Sequence, residues 1–384
     1  MRSVGIIAEY NPFHNGHIYQ IDKIREQLNP DCIVCVMSGD FVQRGEPALI
    51  DKYSRAYSAL SNGIDLVIEL PAAYAVSSAE TFAYGGVSLL EALSCEYVCF
   101  GSECGDLCRL SDAADILAHE NDSFKELLAE ALRKGLSFPA ARAAALPEYA
   151  DILDKPNNLL GIEYIKAIKR HSYNIKPYTI TRAGNGYHDD SISTEYPSAK
   201  GIRCAIAQND LQSVRFSVPA ETFSSLNNTL ILDDFSFLIN YKIMEILERK
   251  DTFSQYSDIS EALSNKIADI FCPNLSVTEL IAKMKSRDLT YTRISRALIH
   301  ILLNIQNTDE NPPLYARILG FTKKGQDYLS SIKKDCPVPL ITKPADYKEY
   351  LQKDIFASGI YNMAVYNKYK TVITDDYRHP VIRL

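Results

Sequence analysis

No stretch of this chain is apolar for long enough to cross a bilayer, which takes about 20 residues, so no membrane partner is expected. The amino terminus has no basic segment followed by a long apolar one, so a secretory leader is not expected and the chain reads as cytoplasmic. A net positive charge is also missing. The 41 Lys and Arg against 48 Asp and Glu leave −7, which argues against a protein coated in basic surface. There is no internal repeat and no low-complexity tract. The nine cysteines lack a pairing pattern. They are odd in number and scattered, with Cys35 and Cys99 in apparent core strands, so they read as reduced thiols. Cys95, Cys99, Cys104 and Cys108 are separated by three, four and three residues, unlike a zinc knuckle, and no metal site is expected there.

What is present is an ordinary globular composition, 46% hydrophobic and 23% charged. A length of 384 residues favours two domains, at about 100–200 residues each. The first half alternates short apolar runs with amphipathic segments. Strands are expected at 4–8, 32–37, 66–70, 97–100 and 175–181. Helices are expected near 16–27, 51–62, 107–150, 160–170 and 198–207, with a polar loop over 183–198. Continuously apolar strands between helices imply an α/β fold with a parallel sheet covered on both faces. Ligands on such sheets bind beyond the carboxyl ends of the strands. The segments 9–16, 38–46, 71 onward and 101–105 are therefore expected to line one crevice. Past Pro219 strand signals fade and helices run to about 305, followed by helices mixed with extended pieces at 338–341 and 371–374. We divide the chain into an α/β catalytic domain, 1–215, and a mostly helical domain, 216–384.

The most informative segment is Ile7-Ala8-Glu9-Tyr10-Asn11-Pro12-Phe13-His14-Asn15-Gly16-His17-Ile18-Tyr19-Gln20. It joins the first strand to an amphipathic helix (Ile18, Ile21, Ile24). Two imidazoles and several free backbone N–H groups are thereby expected at a helix N-terminus, a place that favours anions. Were that anion a phosphate under attack, negative charge would build on its phosphoryl oxygens and on the leaving group. His14 and His17 are candidates to stabilise it, and Gly16 lets the backbone approach a nucleotide. The plainer readings are a surface pair of histidines or half of a zinc site; a third ligand nearby is lacking.

Later in the same domain, Ser198 precedes a helix bearing Lys200 and Arg203. Ser198 is expected to cap that helix and touch a phosphate, with the two cations clamping the triphosphate. The plainer reading is an ordinary capped helix with exposed basic residues. The loop after the second strand carries Asp40, Gln43 and Arg44; substrate contact through Gln43 and Arg44 stands against a simple turn capped by Asp40. Lys52 and Arg55 read as surface charges. For nucleic acid, 311–384 holds 12 Lys and Arg against 7 Asp and Glu, with eight of the 24 tyrosines. A helical stretch at 283–296 presents Lys283, Lys285, Arg287, Arg293 and Arg296, and Arg317, Lys323, Lys324, Lys333 and Lys334 make a second basic patch. Solvated helix faces explain both patches nearly as well.

His-x-Gly-His after a first strand resembles the HIGH nucleotidyltransferase superfamily, whose later Ile-Ser-Ser-Thr-x-x-Arg motif is matched here only by Pro197-Ser-Ala-Lys-Gly-Ile-Arg203, without the Ser-Thr pair. Taken together, five segments (5–17, 37–48, 100–103, 156–164 and 181–189) resemble the bacterial tRNA(Met) cytidine acetate ligases, most densely over 1–210. The resemblance implies a Rossmann-like HIGH domain. It implies a reaction in which acetate attacks ATP to give acetyl-adenylate, and the N4 amine of the wobble cytidine of elongator tRNA(Met) takes the acetyl group. It also implies ATP contacts from the segment 7–20, from Gly101, from Asn157 (or its neighbour Asn158) and from Arg182. Magnesium is expected with the triphosphate. Tyr187-His188-Asp189 has no assigned role. Two other readings stand beside this one: a small-molecule adenylyltransferase of the same superfamily, and a non-catalytic RNA-binding protein.

Overall fold

Apolar, partly β-branched runs bounded by turn residues become strands here, because each packs against a helix on one or both faces. The computed structural model describes residues 1–182, 196–307 and 315–384; the Tyr187–Asp189 segment and most of the expected 183–198 loop lie outside the described residues. The first five long strands and one hairpin are β1 (Ser3–Ala8), β2 (Cys32–Ser38), β3 (Phe41–Val42), β4 (Glu46–Pro47), β5 (Leu66–Leu70), β6 (Tyr97–Ser102) and β7 (Lys176–Thr181). β1 lies at the middle of the parallel part, with Gly5 opposite Val34 on β2 and opposite Val98 on β6. β5 extends the sheet beyond β2, and β7 beyond β6, all parallel. Every residue of β2 and β5 is buried, as expected of strands covered on both faces.

Helix α1 (Asn15–Leu28) and helix α2 (Lys52–Ser61) cover one face, where Ile21, Ile24, Ala56 and Leu60 meet Ile6, Ile33 and Val67. Helices Ala79–Ala92 and Pro156–His171 cover the other, where Leu90, Ile162 and Ile165 meet Val34, Ile68 and Val98. Full burial of each such side chain stabilises by roughly 1.5–3 kcal/mol. A second core is helical. Ile239, Leu263, Leu280 and Leu298 pack with Tyr361 of the 22-residue helix Lys348–Tyr369.

The C-terminal segment returns to the first sheet. β8 (Ala316–Phe321) runs antiparallel to β5, and β9 (Leu340–Ile341) and β10 (Ile382–Arg383) pair parallel with β8. The boundary drawn at 215 therefore separates chain segments, not sheets. Of the extended pieces expected near the end, 338–341 contains the strand Leu340–Ile341, 371–374 forms no strand, and six-residue β8 was missed. Its apolar run is too short for periodicity to distinguish strand from buried helix.

The register of β8 against β5 sets Arg317 opposite Glu69. Lys52 and Arg55 were read as surface charges and Arg317 as part of the second basic patch, and all three are buried. Lys52 Nζ donates to Glu69 (2.8 Å), Ser358 (2.8 Å) and Asp376 (3.0 Å). Arg317 reaches Glu69 and Asp376, each at 3.0 Å, and donates to the Tyr53 hydroxyl at 2.9 Å. These partners lie up to 324 residues apart, so no local pattern shows them. Buried cations survive only where carboxylates compensate their lost hydration. R317M should therefore lower unfolding free energy by about 3–5 kcal/mol in urea titrations, by stranding Glu69 and Asp376. K323M, at an exposed position of the same patch, should stay within about 0.5 kcal/mol of the parent.

Candidate active site

The turn from β1 into α1 is held by the two histidines themselves. His14 is the N-cap residue, and its Nδ1 accepts from the Gly16 N–H at 3.0 Å. His17 Nδ1 accepts in turn from the His14 N–H at 3.1 Å. The His17 N–H donates to the His14 carbonyl at 2.8 Å, and the Asn15 N–H to the Ser217 carbonyl at 3.0 Å. The free backbone donors expected at this helix end are thus taken, which corrects the sequence reading.

What remains for a ligand is different. An Nδ1 that accepts a backbone hydrogen bond carries no proton, so in both neutral rings the proton sits on Nε2. Each histidine therefore presents one Nε2–H donor. The rings stack with centroids 3.8 Å apart. Gly16 allows this approach, since a Cβ there would stand 2.8 Å from His14 Cε1. Burial, then the nearby Arg182 and Arg203 guanidinium groups, push His14 down to about 3. Burial, then His14 and Arg182, hold His17 well below its usual value. Both rings are neutral at pH 7 in a setting made cationic by arginine.

The rest of the segment 7–20 builds this turn. Tyr10 and Phe13 are buried and set their rings against His17, at 4.7 and 5.5 Å between centroids. The Asn11 side chain accepts from the Leu49 N–H at 2.7 Å, and its carbonyl accepts from Arg203 at 2.8 Å. Glu9 accepts from the Gln43 N–H at 2.9 Å. Arg55, wholly buried, donates to the carbonyls of Ile50 (3.0 Å), Glu9 (2.7 Å), Ser38 (2.9 Å) and Gly39. That one guanidinium clamps the loop after β1 to the loop after β2. Sequence reasoning missed it; the only available signal was a cation on the helix face that also carries Lys52 and Ala59.

A cleft opens beside the rings. His14, Gly16, His17, Tyr19 and Gln20 line one wall. Gly101 of β6, then Ile180, Thr181 and Arg182 at the end of β7, form the opposite one, and Tyr196 and Pro197 complete it. Tyr19 and Tyr196 meet at 5.4 Å between ring centroids. Gly101 pairs with Ile180, and a Cβ on it would lie 3.1 Å from Arg182 Cγ, so the bare backbone leaves room for that arginine.

The expected single crevice is narrower than drawn from sequence. Loops after β1, β6 and β7 form it. The loop after β2 buttresses it through Arg55 and Gln43, and residues beyond Pro71 pack into the helical core through Ala72 and Val76. Gln43 spends its side-chain amide on the Ser77 carbonyl, and neither it nor Arg44 lines the cleft. Asn157 and Asn158 also stand outside the lining. Asn157 donates from its backbone and side chain to Glu103, and buried Asn158 accepts from the Glu103 and Cys104 N–H groups. The Glu103 carboxylate accepts three bonds from this helix start, the third from the Asn158 N–H at 2.8 Å, and it opposes the burial that pulls Arg182 down. Ser198 caps its helix as expected, accepting from the Gly201 N–H at 3.0 Å. Lys200, in the first turn, is half-buried, and Arg203 binds the Asn11 carbonyl.

The basic stretch 283–296 is not one helix. Helix Val277–Met284 ends, Lys285, Ser286, Arg287 and Asp288 are exposed between, and helix Tyr291–Leu303 follows. Lys283, Lys285 and Arg287 are exposed; Arg293 is half-buried. Arg296 is largely buried and bonded to Asp258 at 2.7 Å, so it belongs to the framework. Among the described residues no group of three or more His, Cys, Asp or Glu side chains could hold a metal ion, and no helix is long and apolar enough to cross a membrane.

The chain matches the HIGH Nucleotidyl Transferase family over residues 1–376. It is 42% identical to the tRNA(Met) cytidine acetate ligase of Clostridium acetobutylicum, over the full length of both chains. The ligase of the same name from a Thermoanaerobacter species is 40% identical, again over both full lengths. Among solved structures, Thermotoga maritima TmcAL without ligand superposes over all of both chains with a TM-score of 0.91 at 32% identity. The same protein bound with alpha-thio ATP gives 0.89 at 31%.

A histidine kept neutral in the folded state favours unfolding once the unfolded chain protonates. For His14, that contribution to stability is complete above about pH 6.5 and is lost as pH falls toward about 3. H14N should therefore show a flatter decline of Tm between pH 6.5 and 4 than the parent in calorimetry. An equal decline in both would remove His14 from this account.

Proposed function

The chain belongs to the HIGH nucleotidyl transferase family and, within it, to the tRNA(Met) cytidine acetate ligases, and on that premise we propose how its residues serve the reaction. The enzyme activates acetate with ATP and transfers the acetyl group to N4 of the wobble cytidine, position 34, of elongator tRNA(Met), forming N4-acetylcytidine. The observation that carries this reading is the pair of tautomer-locked imidazoles facing a cleft edged by Arg182.

In the first step an acetate oxygen attacks the α-phosphorus, the bond to the bridging oxygen of pyrophosphate breaks, and acetyl-adenylate forms. The Nε2–H groups of His14 and His17 donate to the oxygens on which charge grows. Arg182 offers a planar guanidinium to a phosphate. The bare backbone at Gly101 and the Tyr19–Tyr196 pair suit a nucleoside. Asn157 serves the site through Glu103, which it shares with the turn after β6. Ser198, Lys200 and Arg203 hold the adjoining helix start, with Arg203 fixing the loop that carries the rings. In the second step the cytidine N4 amine attacks the acetyl carbonyl carbon, AMP leaves, and the amine loses one proton.

The described cleft residues do not form a magnesium site of their own, so magnesium enters this reading only as a companion of the triphosphate. The nine unpaired cysteines suit a reducing cytoplasm. Lys283, Lys285 and Arg287 remain as candidate contacts to tRNA phosphates.

H17A should lower acetate-dependent ATP–pyrophosphate exchange by about 100-fold or more, the usual loss for one oxyanion donor, with tRNA affinity kept. Exchange in the parent that requires a nucleoside monophosphate in place of acetate would reassign the protein as a small-molecule adenylyltransferase. The triple variant K283E/K285E/R287E should reduce the salt dependence of tRNA binding by roughly 2–3 in log–log slope, with exchange near normal. An unchanged slope would remove this patch from the tRNA surface.

A further inference from the structure

Phe216 is 86% exposed, the most exposed of the large hydrophobic side chains among the described residues. Single exposed apolar residues are common and need no explanation by themselves. Two features set this one apart. Its main chain is fixed, and what fixes it is the histidine turn. Val214, Ser217 and Val218 on either side are buried, and the two valines belong to a small core with Ile202 and Leu226. The Phe216 carbonyl accepts from Asn15 Nδ2 at 2.8 Å, and the Ser217 carbonyl accepts from the Asn15 N–H at 3.0 Å. Asn15 stands between His14 and Gly16, both of which line the cleft. An aromatic ring is thus carried into solvent on a backbone that the side chain and N–H of Asn15 hold against the histidine turn.

We propose that Phe216 is the stacking platform for the acceptor base, holding the cytidine ring while its N4 amine meets the activated acetyl group. The proposal rests on the ligase reading above. An anticodon base must leave its neighbours to reach a buried carbonyl carbon, and an aromatic face replaces the stacking it loses. An aromatic face reads no hydrogen-bond pattern, so Phe216 positions the base and other groups select it. Exposure in the absence of RNA follows from this role, since the surface Phe216 covers arrives with the substrate. The two bonds from Asn15 couple platform and imidazoles, so a base seated on one is placed relative to the other. Phe216 touches the substrate in the transfer step and has no part in forming acetyl-adenylate.

The chain contains no tryptophan, which makes the test direct. F216W introduces a single indole whose emission reports stacking. Titration of F216W with elongator tRNA(Met) should quench that emission, and tRNA carrying uridine at the acceptor position should quench it as well. F216A should lower kcat/KM for tRNA acetylation by about 10-fold or more, the scale of one lost base–aromatic stack. F216Y and F216W should restore it, and acetate-dependent ATP–pyrophosphate exchange should stay within about twofold of the parent in all three. Acetylation by F216A at the parental rate, or F216W emission unmoved by saturating tRNA, overturns the platform. A loss in F216A that F216W and F216Y fail to restore does the same. If the parent itself neither exchanges nor acetylates, the ligase reading fails, and that result is distinct from a failure of the platform.

Discussion

The structure of the site depends on one reciprocal interaction, in which each histidine of the turn accepts a backbone hydrogen bond given by or near the other. His14 Nδ1 takes the Gly16 N–H and His17 Nδ1 takes the His14 N–H. Three properties follow from that exchange. It starts helix α1, because it satisfies donors that a helix N-terminus leaves over. It fixes both tautomers, because an accepting nitrogen cannot also hold the proton. It brings the rings into face contact, which two protonated imidazoles would not tolerate and which Gly16 alone leaves room for. Helix capping and the placement of chemical groups are usually separate tasks. Here one pair of side chains does both, so a change at either position alters the local fold and the donor set together.

Around this pair the molecule is stiffened by buried charge at two depths. Near the site, Arg55 gathers four backbone carbonyls and so holds the loop after β1 to the segment after β2. Farther back, Lys52 and Arg317 share Glu69 and Asp376 across the seam where β8 joins β5. This second group ties the end of the chain to its beginning. The segment that follows the helical region is not an appendage, since the sheet bearing the site has its edge built from it. Buried ion groups seldom add much net stability, but they penalise alternatives strongly, because any other register leaves a charge unpaired. The gain is in the uniqueness of the seam.

Much of the catalytic half was legible because its signals are local. The runs at Val4–Ala8 and Cys32–Met37 sit in strands, and the period of Ile18, Ile21 and Ile24 in a helix. Ser198 before Gly201 is a cap that spacing alone reveals. The His-x-Gly-His pattern located the rings, yet it pointed to free backbone N–H groups that the rings themselves consume. What was not legible is long-range. Lys52 and Arg317 look like surface residues until partners hundreds of positions away come into view, and Arg55 until the carbonyls of Glu9, Ser38 and Gly39 gather around it. Thr181 reaches the cleft only because β7 lies beside β6. The break at 285–290 was hidden because charged residues suit an exposed helix and an exposed loop equally well.

The division between neutral imidazoles and fixed guanidinium groups bears on how the site would favour reaction over mere binding. A full positive charge attracts the triphosphate before and during reaction alike, and so contributes mainly to binding. A neutral Nε2–H donor interacts modestly with a ground-state phosphate oxygen and more strongly as charge accumulates on it. Only that increment lowers the barrier. Burial, and after it the charge of nearby Arg182, keeps the rings from acquiring protons. In the proposed reaction the same arginine would serve as a phosphate partner while adding to the effect of burial on its neighbours' protonation state. Two imidazolium ions in the same place would hold ATP more tightly and gain less on approaching the transition state. The low proton affinity of these rings is thus the expected cost of placing them against each other, and also the condition under which their hydrogen bonds are most useful to the chemistry.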